Sequence, residues 1–271
     1  MSTKIRVEDL TVEYGDKKQR FVALDDVSFD IAAGEFVSII GSSGCGKSTL
    51  LGVLMGLISP TSGAAYVNGT PIQGPSPERS VVFQQYSLFP WMTALGNVVF
   101  ALEQTQPDLS KKQRLELGKR YLRDVGLEGF DDRYPKALSG GQQQRVAIAR
   151  ALAENGDVLL MDEPFGAIDA KNRAVLQDLL LELWEGEGTQ RKTVVFITHD
   201  LDEAILLSDR IILLEADHAT GVPGHVREEF AVPLARPRHR LELLKSYEYN
   251  EFRSQVSEAF FEDEARKVHA A

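Results

Sequence analysis

The sequence predicts an α/β fold: a mostly parallel sheet covered by helices, preceded by antiparallel N-terminal strands and interrupted by an inserted helical lobe. Three observations predict it. A nearly continuous apolar run, residues 35–40, leads through a glycine-rich loop into a helical pattern, as a strand buried on both faces would. Strand and helix patterns alternate from residue 157 to residue 215, the order expected of a doubly covered parallel sheet. Between these stretches, residues 94–156 carry helical periodicity.

In chain order, Ile5, Val7, Leu10 and Val12, followed by Tyr14, alternate with polar residues, and so do Val22, Leu24, Val27, Phe29 and Ile31. Period 2 marks half-buried strands. Ala33-Gly34 makes a turn before the buried run. The helix over 46–57 stops at Ser59-Pro60-Thr61-Ser62-Gly63, because proline cannot continue a helix and glycine favours the exit turn. Short strands and turns reach Val81-Val82-Phe83. Helices are expected over 111–125 and 142–153, then a strand at 157–162, a helix at 170–185, a strand at 192–197, a helix at 200–207 and a strand at 210–215. Beyond Asp217 the chain reads as loose, with Gly221, Pro223 and Gly224, before a charged amphipathic helix over 248–268. The expected organisation is an α/β core (1–93 and 157–216), a helical lobe (94–156) and a C-terminal extension (217–271) ending in a helix.

The 271 residues are 43% hydrophobic and 26% charged, enough for a core of ordinary size without disulfides or metal. No apolar run is long enough to cross a bilayer, and no apolar stretch follows the positive charges of the N-terminus. Action at a membrane would therefore need a spanning partner chain. The single cysteine, Cys45, fits a reducing cytosol. A net charge of −10 argues against non-specific nucleic-acid binding, which relies on surplus Lys and Arg.

Gly41-Ser42-Ser43-Gly44-Cys45-Gly46-Lys47-Ser48 fits the pattern of a phosphate-binding loop in its proper setting, after a buried strand and before a helix. Backbone N–H groups of such a turn point at anionic oxygens, and the helix N-terminus adds a favourable dipole. Lys47 would reach the β- and γ-phosphates, and the Ser48 hydroxyl would ligate Mg2+. Cys45 needs only to be small here, and its expected role is inert packing.

Val158-Leu159-Leu160-Met161 runs into Asp162-Glu163, two acids at the carboxyl edge of a sheet. Asp162 suits Mg2+, directly or through water. Glu163, pointing elsewhere because strand side chains alternate, suits polarising an attacking water. His199 likewise follows an apolar strand and opens a helix, where an imidazole would hydrogen-bond the γ-phosphate or orient the water. The other histidines, all in the tail, are assigned no chemistry.

Leu138-Ser139-Gly140-Gly141-Gln142, followed by Gln143-Gln144-Arg145, resembles the signature of ABC-transporter ATPases, and its paired glycines at a helix start form a second anion-binding nest. The resemblance spans about residues 3–216. It implies a P-loop NTPase core in which residues Gly41 to Ser48, with Thr49, hold ATP. Tyr14 is then the aromatic that stacks on adenine, and Gln84 senses Mg2+ and the attacking water, with Gln85 as the adjacent alternative. Phe165-Gly166-Ala167-Ile168-Asp169 resembles the loop that communicates across a dimer, with Ile168 where leucine is usual. In this family Ser139, Gly140, Gly141 and Gln142 close over ATP held by a second copy, so that two nucleotides are sandwiched head to tail.

Tyr86-Ser87-Leu88-Phe89-Pro90-Trp91-Met92-Thr93 is apolar and aromatic. Exposed, it would form a groove for a partner's helix, the coupling helix of a permease in importers; core packing is the other reading. This stretch, the compact size and Arg236-Pro237-Arg238 in the tail look like the nitrate/sulfonate/taurine importer branch. The resemblance thus implies an ATPase at the cytoplasmic face of the bacterial inner membrane, joined to transmembrane permease subunits and served indirectly by a periplasmic or lipid-anchored solute-binding protein. A soluble ABC ATPase acting on nucleic acid or ribosomes is the alternative, without the tandem cassettes or basic face usual there.

Overall fold

The computed structural model describes residues 2–16, 19–154, 156–186, 191–217 and 220–270; His218 and the side chain of His269 lie outside what is described. By internal contact the chain divides into two compact units, Met1–Pro75 with Thr193–Ala271, and Ser76–Lys192.

In the first unit, β1 (Thr3–Asp16) and β2 (Gln19–Ala32) form an antiparallel pair with Val7 opposite Phe29, Leu10 opposite Val27 and Val12 opposite Leu24. All six are buried, so the period-2 pattern does mark the covered face. β4 (Ser62–Val67) lies antiparallel to β1, and β5 (Thr70–Pro71) folds back on β4. Every residue of β3 (Phe36–Gly41) is buried, as its unbroken apolar run requires. Its neighbours β8 (Thr193–Ile197) and β9 (Arg210–Asp217) both run parallel to it. Parallel neighbours deliver their carboxyl ends to one edge, where the Thr198 N–H donates to the Ile39 carbonyl at 3.3 Å. α1 (Lys47–Met55) leaves that edge after β3, and α6 (Leu201–Leu207) leaves it after β8.

One expectation fails after Asp217. The segment read as loose contains β10 (Val222–Ala231), antiparallel to β9 and bridged in parallel to β2 at Leu24. Pro223, Gly224 and the charged run Arg227-Glu228-Glu229 hid it, because its register shifts twice and its alternation breaks with it. A neighbouring strand, rather than its own pattern, makes it a strand. Gly224 is needed for the approach: a Cβ there would lie 2.3 Å from the Cys45 carbonyl oxygen. The unit closes with α7 (Arg240–Leu243) and α8 (Tyr247–Ala270).

The second unit pairs β6 (Arg79–Val82) in parallel with β7 (Val158–Asp162), Val82 standing opposite Met161. Around them lie α2 (Ala94–Thr105), α3 (Lys111–Asp124), α4 (Gly140–Ala153) and α5 (Ala170–Glu185). Thr93, Ser110, Ser139 and Asp169 cap these four helices with their side chains, which explains the sharp starts. Leu102, Leu122, Val146 and Ala149 are buried, giving the helical part its own apolar core.

Candidate nucleotide-binding site

In the first unit the loop between β3 and α1 is built around a buried cation. The Lys47 ammonium, 8% exposed, donates to the carbonyls of Gly41 (2.7 Å) and Ser42 (2.9 Å) and lies 3.7 Å from Cys45 Sγ. Gly46 caps α1 at φ 99°, in the left-handed region, and a Cβ there would lie 2.4 Å from Leu24 Cδ2. Only glycine satisfies both demands. Ser48 is exposed in the first turn of α1. Cys45 is fully buried. Burial pushes its thiol up, and Lys47 only partly opposes this, so the sulfur stays protonated and unreactive.

Tyr14, at the end of β1 and 42% exposed, donates its hydroxyl to Thr49 Oγ1 at 3.3 Å, which brings the ring beside α1. His199 is exposed between β8 and α6. Its flanks are tightly bonded. Thr198 Oγ1 accepts from the Asp200 N–H (3.0 Å) and donates to Glu203 Oε2 (2.6 Å), while Asp200 Oδ1 accepts from the N–H groups of Asp202 (2.9 Å) and Glu203 (3.1 Å). The first unit thus gathers Tyr14, residues 41–49 and His199 along one sheet edge.

In the second unit Gln84 and Glu163 stand just beyond the carboxyl ends of β6 and β7, and Gln84 Nε2 donates to Glu163 Oε2 at 3.4 Å. Glu163 holds a left-handed φ of 40°, unfavourable for a glutamate. Strain of this kind, worth about 1–3 kcal/mol, persists where the surroundings impose it and clusters at functional positions. Asp162, half-buried, ends β7. Ser48, Gln84 and Asp162 are all oxygen donors, the hard ligands that Mg2+ takes one or two at a time beside phosphate and water. Among the described residues no group of three or more His, Cys, Asp or Glu could hold a metal ion.

Ser139 and Gln142 close a reciprocal capping box at α4: Ser139 Oγ accepts from the Gln142 N–H at 3.3 Å, and Gln142 Oε1 accepts from the Ser139 N–H at 2.9 Å. The Ser-x-x-Gln spacing signals it in the sequence. The box holds Gly140 and Gly141 rigidly as the opening turn of the helix. Asp169 caps α5 and bonds Asn172 with both oxygens, which lowers its carboxyl below the usual range.

The aromatic loop is packed in one part and exposed in another. Phe89 is the packed part: its ring meets Phe100 edge-on at 4.9 Å, Trp91 at 5.5 Å and the Arg150 guanidinium at 5.6 Å. Trp91 is the presented part, 69% exposed. Sequence reading missed the residues that hold them. Asn97, fully buried, accepts from the Phe89 N–H (2.8 Å) and donates to the carbonyls of Phe89, Met92 and Thr93, and Arg150 donates to the Ser87 carbonyl (2.7 Å). A buried Asn and Arg in otherwise apolar helices were the available signal.

A loop built to cradle phosphate, a strained carboxylate paired with a glutamine and a capped glycine-rich helix start define an α/β P-loop NTPase carrying a signature helix. The family model described as ABC transporter matches residues 24–166. The chain is 45% identical to an uncharacterized ABC transporter ATP-binding protein of Methanocaldococcus jannaschii over 94% of its length and 91% of that protein's. It is 42% identical to the nitrate transport protein NasD of Klebsiella oxytoca over 98% of its length and 99% of that protein's. Its fold is similar to the dimeric structure of a post-hydrolysis ATP-binding cassette bound to ADP and Pi (TM-score 0.71, 35% identity, 85% of this chain and 100% of that one). The chain belongs to the ABC transporter family, as an ATP-binding subunit resembling the nitrate branch.

Proposed function

We propose that this chain hydrolyses ATP for a bacterial ABC importer, coupling closure of a head-to-tail homodimer to uptake through a separate permease of a small anionic or organic solute of the nitrate, sulfonate or taurine type. The name of its relative NasD supports the solute class, and the dimeric cassette holding ADP and Pi supports the dimer. The observation that carries the catalytic reading is Glu163, held in left-handed backbone with Gln84 at its carboxylate. A carboxylate so fixed is prepared to take a proton from an attacking water.

In this reading Tyr14 stacks on adenine, the N–H groups of residues 41–49 and the Lys47 ammonium bind the phosphates, and His199 orients the γ-phosphate and the water. Ser48, Gln84 and Asp162 would hold Mg2+, which when bound neutralises phosphate charge. Ser139, Gly140, Gly141 and Gln142 serve the nucleotide of the second copy. The chain works at the cytoplasmic face of the inner membrane, where exposed Trp91 meets the permease. Among the described residues no helix is long and apolar enough to cross a membrane.

Glu163→Gln tests the proposal. ATP turnover should fall about a thousandfold while ATP binding is kept and an ATP-dependent dimer accumulates on size exclusion. Turnover equal to the parent's removes Glu163 from the mechanism.

A further inference from the structure

We propose that the C-terminal extension is a brace that sets the position of His199, with Tyr249 and Arg253 as positioning residues; this rests on the role given to His199 above.

The helix that follows His199 is too short to hold itself. α6 has seven residues, and isolated helices of that length do not persist in water. The tail holds it at both ends. At its C-terminal end, Arg238 Nη1 donates to the carbonyls of Ile205 (3.0 Å), Leu206 (3.1 Å) and Ser208 (2.6 Å). The same guanidinium reaches the Leu234 carbonyl, and Arg236 donates to the Leu207 carbonyl (2.6 Å) and to Asp209 Oδ1 (2.7 Å). Arg238 is 7% exposed. A cation buried that deeply is costly unless its donors are used, and here they satisfy the carbonyls that a helix end leaves open.

At the N-terminal end, Asp202 Oδ1 accepts from the Tyr249 hydroxyl at 2.6 Å and from Arg253 Nε at 2.5 Å, both on α8. Leu201, Ala204 and Ile205 share an apolar cluster with Tyr249, Phe252 and Val256. The connection to the histidine is three residues long. Asp202 and Glu203 donate their N–H groups to Asp200, and Thr198 bonds both Asp200 and Glu203, so the turn carrying His199 is tied to the first turn of α6 on both sides. A first turn set by Tyr249 and Arg253 therefore sets where the imidazole stands. The segment Arg236-Pro237-Arg238 and the tail helix, which the nucleotide chemistry leaves unused, acquire one purpose.

The test uses the full-length chain carrying Tyr249→Phe with Arg253→Gln. The expected result is a kcat about tenfold lower, an unchanged KM for ATP, and a shifted or broadened imidazole proton resonance of His199, assigned by its loss in His199→Ala. Arg253→Lys, which keeps a cationic donor, should recover most of the rate. If the double variant fails to fold, Tyr249→Phe alone removes one oxygen, leaves the ring packed and should show the same changes at smaller size. An unmoved His199 resonance overturns the brace, and so does an unchanged kcat where His199→Ala is itself slow. His199→Ala separates the two readings. Undiminished turnover in His199→Ala refutes the role of the histidine, and the resonance then still decides whether the tail positions it. A slow His199→Ala beside a fully active tail variant refutes the brace alone.

Discussion

Outside glycine, left-handed backbone falls on different residue types in the two units. In the first it lies on Asp9, Asp26 and Asn68, residues whose short polar side chains tolerate it. Asp9 sits where the β1–β2 register shifts, and Asn68 with Gly69 makes the two-residue turn between β4 and β5. In the second unit it lies on Tyr86 and Ser87, two and three residues past Gln84, and on Glu163 itself, none of which has such tolerance. The first unit's non-glycine outliers shape a sheet, and at its phosphate loop the left-handed positions are glycines, Gly44 and Gly46; the second unit places non-glycine residues in such backbone beside its candidate chemistry. Under the function proposed above, this difference goes with phosphate binding in the first unit, where a buried lysine already sits among carbonyls, and with water activation by Glu163 in the second.

That assignment is most exposed to Ser139→Arg. The arginine should abolish ATP turnover while leaving ATP affinity of the monomer unchanged by equilibrium titration, since in the proposed dimer residues 139–142 serve the partner's nucleotide. A loss of monomer affinity would give the second unit a share of the binding. Next in size, Lys47→Ala should weaken ATP binding about a hundredfold, because a charge-assisted contact to phosphate is removed. Normal affinity with slow turnover would invert the comparison.

The loop before α2 sharpens the contrast through stability. Asn97→Ala should cost about 3 kcal/mol in urea unfolding, since it strands the buried Phe89 N–H and several carbonyls that the amide serves. A change close to zero would show that this loop is not held by Asn97. The smallest effect belongs to the first unit and to acid pH. Burial raises the Asp202 carboxyl, but the hydrogen bonds from Arg253 and Tyr249 outweigh it and leave the carboxyl below its ordinary value. A lowered carboxylate contributes stability that is complete above about pH 4 and is lost as pH falls through the lower folded value. Asp202→Asn should therefore lower Tm at neutral pH and flatten its decline on the acid side. A decline as steep as the parent's would place the acid sensitivity elsewhere.

Most of the fold was legible because its strands and helices carry strong local patterns. β3 is apolar at nearly every position and is buried throughout, and the helices expected at 170–185 and near 200–207 occur as Ala170–Glu185 and Leu201–Leu207. The phosphate loop was legible because its glycines and lysine fall within one eight-residue segment. β10 was not, since its strand character comes from β9 and β2 and its own alternation is broken by register shifts. Asn97 and Arg150 were not, because each acts on a loop distant in sequence or one turn away, and nothing in their own neighbourhood names the partner.

By itself, then, the sequence determined most of the segments that become strands and helices, where the phosphate-loop glycines and the strand-end acids stand, and which family the chain resembles. These follow from contiguous residues and their periodicity. Only the tertiary structure decided that Glu163 sits in left-handed backbone against Gln84, and that Arg238, Tyr249 and Arg253 reach back about thirty to fifty residues to grip the helix behind His199. Backbone strain and buried charge are stable only inside a finished fold, where the surroundings supply the bonds that compensate them, so no local pattern announces them.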